Sequence, residues 1–434
     1  MKNLNQDDIK FFNSLNIDTK SKYFRSHYRR GLLNNIDQDY INEIQKYYKE
    51  HYKQEIDPVT HIAFANLLGN KDVRVIPQLF YRRVFLSVFN DVSMNDMYRD
   101  KGLYDLLINT EQKAENVLKY TRGQFIINSN EFIDAREAYK ILLNDQDNEF
   151  ILKPSDTNNG INIKKLKVLN DKLYIDGEEV DFNYLEKNIG YNYLIQRIIK
   201  QHEVMAKPHP QSVNTLRMAT IRWKGKIHNL YTFARFGHSG NIKDNAGAGG
   251  LVVGVNEDGS FMSYGVVRSK IVYEHPTTGI KISDFGKVPN MDRINKFVRD
   301  LHKDILLQNY VAWDIAVNQN GDPVFIENNF YGSSWTNQVA LNRPMFGDLT
   351  DEILQYINAN ESIMIHKNIN SLSARRRNKV LRLEKKREKD KKKVKRLEVN
   401  LKNEQKKVET LEREIKRIKN SRSWRYTRFL RRKK

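Results

Sequence analysis

Apolar and aromatic residues recur at helical spacing through the first ninety residues, most clearly in DDIKFFNSL and DYINEIQKYYKEHYK. Spacing of three and four predicts helices that bury one stripe. VIPQLFYRRVFLSVFN reads as a short extended piece leading into a buried helix. From about Arg99 the pattern changes. DKGLYDLLI opens a helix with Asp100 as N-cap and Leu103, Leu106 and Leu107 on one face. GQFIIN predicts a strand. EFIDAREAYKILLN predicts an amphipathic helix with Phe132, Ile133, Ala138 and Ile141 as core candidates. EFILKP is a strand closed by the small polar loop SDTNNG, and INIKKLKV and KLYIDGEEV are strands with a turn between them. From Tyr193 strands dominate: YLIQRII, TLRMATIRW, KIHNLYTFARF, GGLVVGVN and GSFMSYGVV, punctuated by Lys224-Gly225 and Asp258-Gly259. A helix, INKFVRDLHKDIL, precedes a last pair of strands, and DEILQYINAN closes the body. The expected class is α+β with a large antiparallel element. Regular βαβ alternation is absent, as are a G-x-G-x-x-G after a strand and a Walker G-x-x-x-x-G-K.

The pattern changes period once more near the C-terminus. With Val380 at heptad position a, nine of the twelve a and d positions from Val380 to Ile418 are Val, Leu or Ile; the exceptions are Arg387, Asp390 and Glu404. A sustained 3.5-residue period without Gly or Pro predicts a coiled coil, most firmly from Val394 to Ile418. The closing SRSWRYTRFLRRKK interleaves Trp424, Tyr426, Phe429 and Leu430 with basic residues, which suits an anionic membrane surface or a protein partner.

Composition sharpens this division. From Ser371 onward 28 Lys and Arg stand against 8 Asp and Glu, so that only about +1 of the net charge of +21 belongs to the body. The basicity is confined to a heptad helix and its end, which argues against a nucleic-acid-binding body. The 434 residues suffice for two to three domains. No Cys is present, which excludes disulfides, thiolate metal sites and a cysteine nucleophile. MKNLNQDDIKFF has no apolar leader core, and no apolar run nears the ~20 residues of a membrane span, so a cytoplasmic protein is expected.

The candidate chemistry sits in AWDIAVNQNGDPVFIENN. Two apolar runs flank Asn320-Gly321, a two-residue type I′ hairpin signal, and each carries an acid. Such a turn makes facing residue numbers sum to 641: Gln319 faces Asp322, Val317 faces Val324, and Asp314 faces Glu327, with Asn329 on the same face. Facing carboxylates at about 5 Å repel unless a cation lies between them. Three oxygen-bearing side chains on one face suit a hard cation such as Mg²⁺. The plain alternative is an edge hairpin with a wet polar face; small Ala312 and Ala316 beside Asp314, and the polar loop FYGSSW after Asn329, weigh against it.

An acid, then Glu-x-Asn on a terminal hairpin, downstream of a Lys-Pro strand and a polar Gly loop, resembles the ATP-grasp superfamily over roughly residues 95–360. DKGLYDLLI resembles the segment carrying the first ATP lysine, here Lys101. FILKPSDTNNGI resembles the second lysine strand and its phosphate loop, with Lys153, Ser155, Asn159 and Gly160. YLIQRII resembles the strand that meets the adenine, with Gln196 where Glu is usual and Ile198 offering backbone. VNTLRMATI resembles the strand with a catalytic arginine, here Arg217. NAGAGG resembles the loop before the metal strands in glutamate-ligating members. Glu203 is a candidate ribose-binding acid. Asp314, Glu327 and Asn329 fall on the ligands of two Mg²⁺. His202, His209 and His275 show no metal-ligand spacing and are read as non-catalytic, with His202 near the nucleotide a possibility.

The IQ…QH…P…VNTLRM pattern and the WD…IENN ending are similar, more narrowly, to the sugar-transfer-associated group linked to bacterial surface polysaccharides. The ending SRSWRYTRFLR resembles a tail of bacterial glycosyltransferases. The resemblance implies a helical region (1–95), two lobes (96–195 and 196–365), a basic coiled coil (371–420) and a basic aromatic tail (421–434). It implies a Mg-ATP-dependent carboxylate–amine ligase working through an acyl phosphate in surface or capsular polysaccharide synthesis. The alternatives are a grasp kinase and a non-catalytic coiled-coil scaffold. Implied partners are a carboxylate and an amine substrate, a second copy or a glycosyltransferase through the coil, and the inner membrane face through the tail.

Overall fold

A computed structural model describes residues 4–420 apart from 129, 158–161, 240–248 and 372–373, and of 363–388, 391 and 418 the backbone alone. It divides into two compact units, Met1–Asn368 and Ile369–Lys434.

The first unit begins with helices Gln6–Ser14, Lys22–Arg29, Gln38–His51 and Val59–Leu68. Asn5, Ser21 and Asp37 cap the first three by accepting backbone N–H groups of the opening turn. In Gln38–His51 the buried stripe is Tyr40, Ile41, Ile44 and Tyr48. A further helical segment, 78–89, widens to π geometry over Tyr81–Phe85. It places Phe80, Tyr81, Phe85 and Phe89 in one core with Ala219, Ile221, Tyr231, Phe233 and Tyr310.

Eight strands form the first sheet: β1 (Asn116–Thr121), β2 (Gln124–Ile127), β3 (Glu131–Ile133), β4 (Glu149–Pro154), β5 (Lys164–Leu169), β6 (Lys172–Ile175), β7 (Glu178–Val180) and β8 (Asn192–Arg197). Their order is β3-β2-β1-β8-β4-β5-β6-β7, antiparallel throughout. Helices Ala135–Leu143 and Phe182–Ile189 pack Ala138, Leu142 and Leu185 against Phe150, Leu152, Tyr193 and Ile195. Because side chains alternate along a strand, this core sends Ile151, Lys153 and Gln196 to the opposite face.

Some expectations shift here. The EFI of EFIDAREAYKILLN is strand β3, and the helix begins after its N-cap Asp134. Phe132 is therefore 65% exposed instead of core. KLYIDGEEV is two strands about a turn at Asp176-Gly177, both with positive φ. In DKGLYDLLI, Asp100 does cap, but the buried side chains are Lys101, Tyr104 and Ile108, while Leu106 is 67% exposed.

Seven strands form the second sheet: β9 (Thr215–Trp223), β10 (Lys226–Phe236), β11 (Leu251–Val255), β12 (Phe261–Val267), β13 (Lys270–Val272), β14 (Tyr310–Val317) and β15 (Pro323–Asn329). The order is β13-β12-β11-β10-β9-β14-β15, again all antiparallel. Helix Met291–Asp304 covers the face bearing Leu216, Met218, Ala234, Trp313 and Ile315. Helical segment 78–89 covers part of the other. Every residue of β14 is buried, since it has a strand on each side and helices over both faces. Of the two hairpin acids, Asp314 lies on interior strand β14 and is buried, whereas Glu327 lies on edge strand β15 and is partly exposed.

The hairpin keeps the expected Asp314–Glu327 and Ala312–Asn329 pairs but reaches them differently. Asn320 does not have the positive φ that a type I′ turn requires; Gly321 does, at 81°. Gly321 N–H donates to Asn318 O and Asn318 N–H to Asp322 O, both at 2.9 Å. This is a three-residue loop closed by a left-handed glycine. It shifts the neighbouring pairs by one, so Val317 faces Pro323 and not Val324. A bulge at Ile326, between the Ile315–Phe325 and Asp314–Glu327 pairs, restores the register. Gly321→Ala is expected to lower stability by about 1–3 kcal/mol through its left-handed backbone alone. An unchanged urea midpoint would contradict this loop geometry. A Cβ there would also sit 2.9 Å from Asn290 Nδ2.

Helices Ser334–Leu341 and Thr350–Ser371 follow the hairpin. The second unit is dominated by one unbroken helix, Ala374–Asn420. No described helix is long and apolar enough to cross a membrane. Trp424, Tyr426, Phe429 and Leu430 lie outside the described residues.

Candidate functional site

The free faces of the two sheets enclose a pocket of about 240 Å³. From the first sheet β4 contributes Ile151, Lys153 and Pro154, and β8 contributes Gln196 and Arg197. From the second, β9 contributes Thr215 and Arg217, β10 Arg235, β14 Asp314, and β15 Ile326, Glu327 and Asn329. The bulge explains how two successive residues of β15, Ile326 and Glu327, line one pocket. Lys101, Ala114, Thr157, Ile163, Ile199, Val213 and Tyr331 complete the wall.

Five cations line the pocket; Arg197 is paired outside it with Glu115, Asp145 and Asp147, and the other four stand around Asp314 and Glu327. Asp314 is 1% exposed and takes a two-pronged contact from Arg217 through Nε and Nη2, the latter at 2.9 Å from Oδ2. Arg235 Nη2 lies 2.9 Å from the same Oδ2. Burial alone would push the Asp314 carboxyl up; Arg217 and Arg235 more than offset this and hold it well below the usual carboxylate range. The cation that two facing acids require is thus supplied by the protein itself. Asn329 Nδ2 donates to Asp314 Oδ2 (3.4 Å) and Glu327 Oε1 (3.3 Å).

Across the pocket, the DKG turn is pinned to the loop after β4. Lys101 N–H donates to Ser155 O (3.0 Å), and its Nζ donates to Thr157 O (2.9 Å). Lys101 Nζ also stands 3.3 Å from Glu327 Oε2, so it faces the acids of the other sheet. Lys153 is buried, and burial, with Lys101 beside it, lowers its pKa to about 7, against the opposing pull of Glu327. Gln196 is held through Asn116, whose own amide and Lys119 both bond Asp105 Oδ2, at 3.1 and 2.8 Å. Lys119 and Lys113 hold the Asp105 carboxyl below its usual range against its burial.

The pocket therefore brings together Lys101, Lys153, Gln196, Arg217, Asp314, Glu327 and Asn329, seven of the candidates read from sequence. Ser155 is buried next to Gly102 and off the lining, and its carbonyl instead anchors Lys101. Arg197 and Ile199 line the pocket on either side of Ile198. Asn159, Gly160 and Asn245 to Ala248 lie outside the described residues. Glu203 is exposed at the start of helix Glu203–Ala206, and neither it nor His202 lines the pocket. His209 and His275 stack 5.7 Å apart and bond Ser212 and Gly237 O.

Three contributors escaped the sequence reading. Arg235 shares the pocket face because Arg217 pairs with Phe233, two residues before Arg235; the Lys224-Gly225 turn alone would set Arg217 opposite Thr232, and the irregularity at Leu230 shifts the register by one. Asp105 is four residues beyond Lys101 and ties the turn to β1. Thr157 acts through its carbonyl, which no sequence pattern marks. Arg235→Ala should cost about 1.5–3 kcal/mol by removing one charged hydrogen bond from buried Asp314. A urea midpoint equal to the parent's would show that Arg217 alone satisfies that acid.

Among the described residues no three His, Asp or Glu side chains gather as a metal cage. The donors present are two carboxylates and an amide oxygen. That set fits Mg²⁺, which is held by one or two carboxylates together with phosphate oxygens. Asp314 is already filled by two guanidinium groups, and Asn329 turns its nitrogen inward, so its amide must rotate to ligate. Glu327, about a quarter exposed, is the acid best placed to join a metal.

A family profile described as sugar-transfer associated ATP-grasp matches residues 81–352. Solved structures with detectable likeness include a D-alanine–D-alanine ligase from Bacillus anthracis (11% identity, 64% of this chain and 72% of that one, TM-score 0.34). An L-amino acid ligase from Bacillus licheniformis is similar at 11% identity (62% of this chain, 48% of that one, TM-score 0.32). So is biotin carboxylase from Campylobacter jejuni (11%, 62% and 48%, TM-score 0.36). The chain thus spans about half the length of the last two, and at these TM-scores the likeness carries no argument. No curated protein matches the chain.

Proposed function

This chain belongs to the sugar-transfer associated ATP-grasp family, and from that premise we propose that it is a Mg-ATP-dependent carboxylate–amine ligase of cell-surface glycan assembly. The observation that carries the reading is the opposition of Lys101, on the turn before β1, and Lys153, on β4, to Arg217, Arg235, Asp314 and Glu327 on the second sheet, around one pocket. Clustered cations with an excess over acids suit a polyanion, and the apolar walls Ile151, Ile163, Ile199 and Ile326 suit a flat base beside it.

The division of labour follows from the side chains. Lys101 and Lys153 neutralise phosphate oxygens. Arg217, fixed by Asp314, is pre-oriented toward charge developing on the transferred phosphoryl group and needs little reorganisation when it forms. Glu327, Asn329 and, on releasing a guanidinium contact, Asp314 would hold Mg²⁺, which would supply charge neutralisation to the phosphates. In the reaction a carboxylate oxygen attacks the γ-phosphorus and ADP leaves. The amine nitrogen then attacks the acyl carbon, loses a proton, and phosphate leaves as the C–N bond forms.

The test is ADP and phosphate release with Mg²⁺ against a panel of amino acids, uronic acids and amino sugars. Equal ADP and phosphate with a new C–N bond supports the ligase. ADP without free phosphate, alongside a phosphorylated acceptor, would make it a kinase. No nucleotide-dependent thermal shift with Mg²⁺ would leave a scaffold.

A further inference from the structure

We propose that the segment from Val394 to Ile418 pairs with a second copy of this chain as a parallel, in-register two-stranded coiled coil. Val394, Leu397, Leu401, Val408, Leu411 and Ile415 follow the a and d positions of an unbroken helix, and each is half exposed or more. Burying such a side chain is worth about 1.5–3 kcal/mol, so six on one stripe are a strong drive to find a partner.

The identity and orientation of that partner are written in the flanking positions. Position a holds Val394, Leu401, Val408 and Ile415, and d holds Leu397, Glu404, Leu411 and Ile418. Mostly β-branched a with Leu at d favours two parallel strands. In a parallel pair each g residue meets the e residue five positions on in the other chain. For two copies in register, Lys393 meets Glu398, Asn400 meets Gln405, Lys407 meets Glu412, and Glu414 meets Lys419. Every charged pair is of opposite sign, and none is of like sign. This complementarity is a property of the sequence paired with itself.

The polar d residue, Glu404, is the one position that opposes burial. Lys407 Nζ already lies 2.7 Å from Glu404 Oε1 on the same helix, so a neutralising cation is beside it. A single polar core position also penalises slipped registers, where it would face an apolar layer.

The experiment uses the full-length chain. Light scattering should give twice the 51.3 kDa of one chain at micromolar concentration. Mass staying at one chain would overturn the proposal and leave the stripe for a different protein. Because the chain has no Cys, Leu401→Cys is a clean orientation probe. A parallel pair places the two thiols across the axis and oxidises to a linked dimer. An antiparallel pair sets Leu401 against a d residue and does not, which would overturn the register. Val408→Asp with Leu411→Asp should yield a single-chain mass with an unchanged thermal transition of the body. A persisting dimer would move the interface off the coil. Lys407→Glu should weaken the dimer, and adding Glu412→Lys should restore it; failure to restore would overturn the charge register.

Discussion

Glu327→Gln is expected to lower ATP turnover by about 10²–10³-fold while leaving the fold intact, the scale seen when one preorganised transition-state contact is lost. Glu327 is the acid that faces both Lys101 and the pocket; it is itself partly exposed, and Lys101, which loses its carboxylate partner, keeps the Thr157 carbonyl as an acceptor. Asp314→Asn is a poorer test. It strips the carboxylate from Arg217 and Arg235 while both remain in place, and breaking a buried ion pair by removing one partner costs about 3–5 kcal/mol. Activity lost there would mix chemistry with unfolding. ADP release and a thermal melt on both variants separate the two roles. Full turnover in Glu327→Gln, or an unshifted melt in Asp314→Asn, would contradict this assignment of duties.

Nucleotide binding is expected to take up close to one proton at pH 8 and to weaken as pH rises. The cause is Lys153, whose burial and proximity to Lys101 place its pKa at about 7. Above that pH the amine is mostly neutral, and a triphosphate beside it restores the ammonium. Affinity should fall by up to about tenfold per pH unit above 7, until the pKa of the complex is passed. The sign for stability is opposite. The folded pKa lies below the ordinary lysine value of 10.5, so the unfolded chain binds more protons between those values. Without nucleotide the protein should gain up to about 1.4 kcal/mol per unit from pH 7 to 10.5, and nothing from this group below 7. Lys153→Met should remove both dependences, weakening ATP binding without loss of stability. Calorimetry at pH 8 in buffers of different ionisation enthalpy is the decisive measurement. Heats independent of buffer would rule out the proton uptake.

Where the sequence reading succeeded and failed has a consistent cause. Caps, stripes and alternation are written within a few residues, so the α+β class, most strands and the placement of Lys153 opposite the Phe150–Leu152 face could be read directly. Phe132 was misassigned because Asp134 caps the helix two residues later and leaves EFI to a strand. The hairpin came out right through two departures that cancel: a loop one residue longer than Asn-Gly suggested, and a bulge at Ile326. Asn-Gly serves either loop; the site face is kept only because the bulge returns Glu327 opposite Asp314.

By itself, then, the amino-acid sequence determined that Asp314, Glu327 and Asn329 share one face, that Lys101 at a helix start and Lys153 and Arg217 on strands precede them, and that a heptad helix follows. Only the tertiary structure decided what those acids face. Arg217 and Asp314 are 97 residues apart, and they meet because β9 pairs with β14. Arg235 joins them from β10, and Lys101 reaches Glu327 from the turn before β1. Strand order between distant segments is set by which faces bury together, a global packing outcome that no local period encodes. The buried acid that looked like an empty metal ligand in sequence is, in the folded chain, the anchor of two arginines.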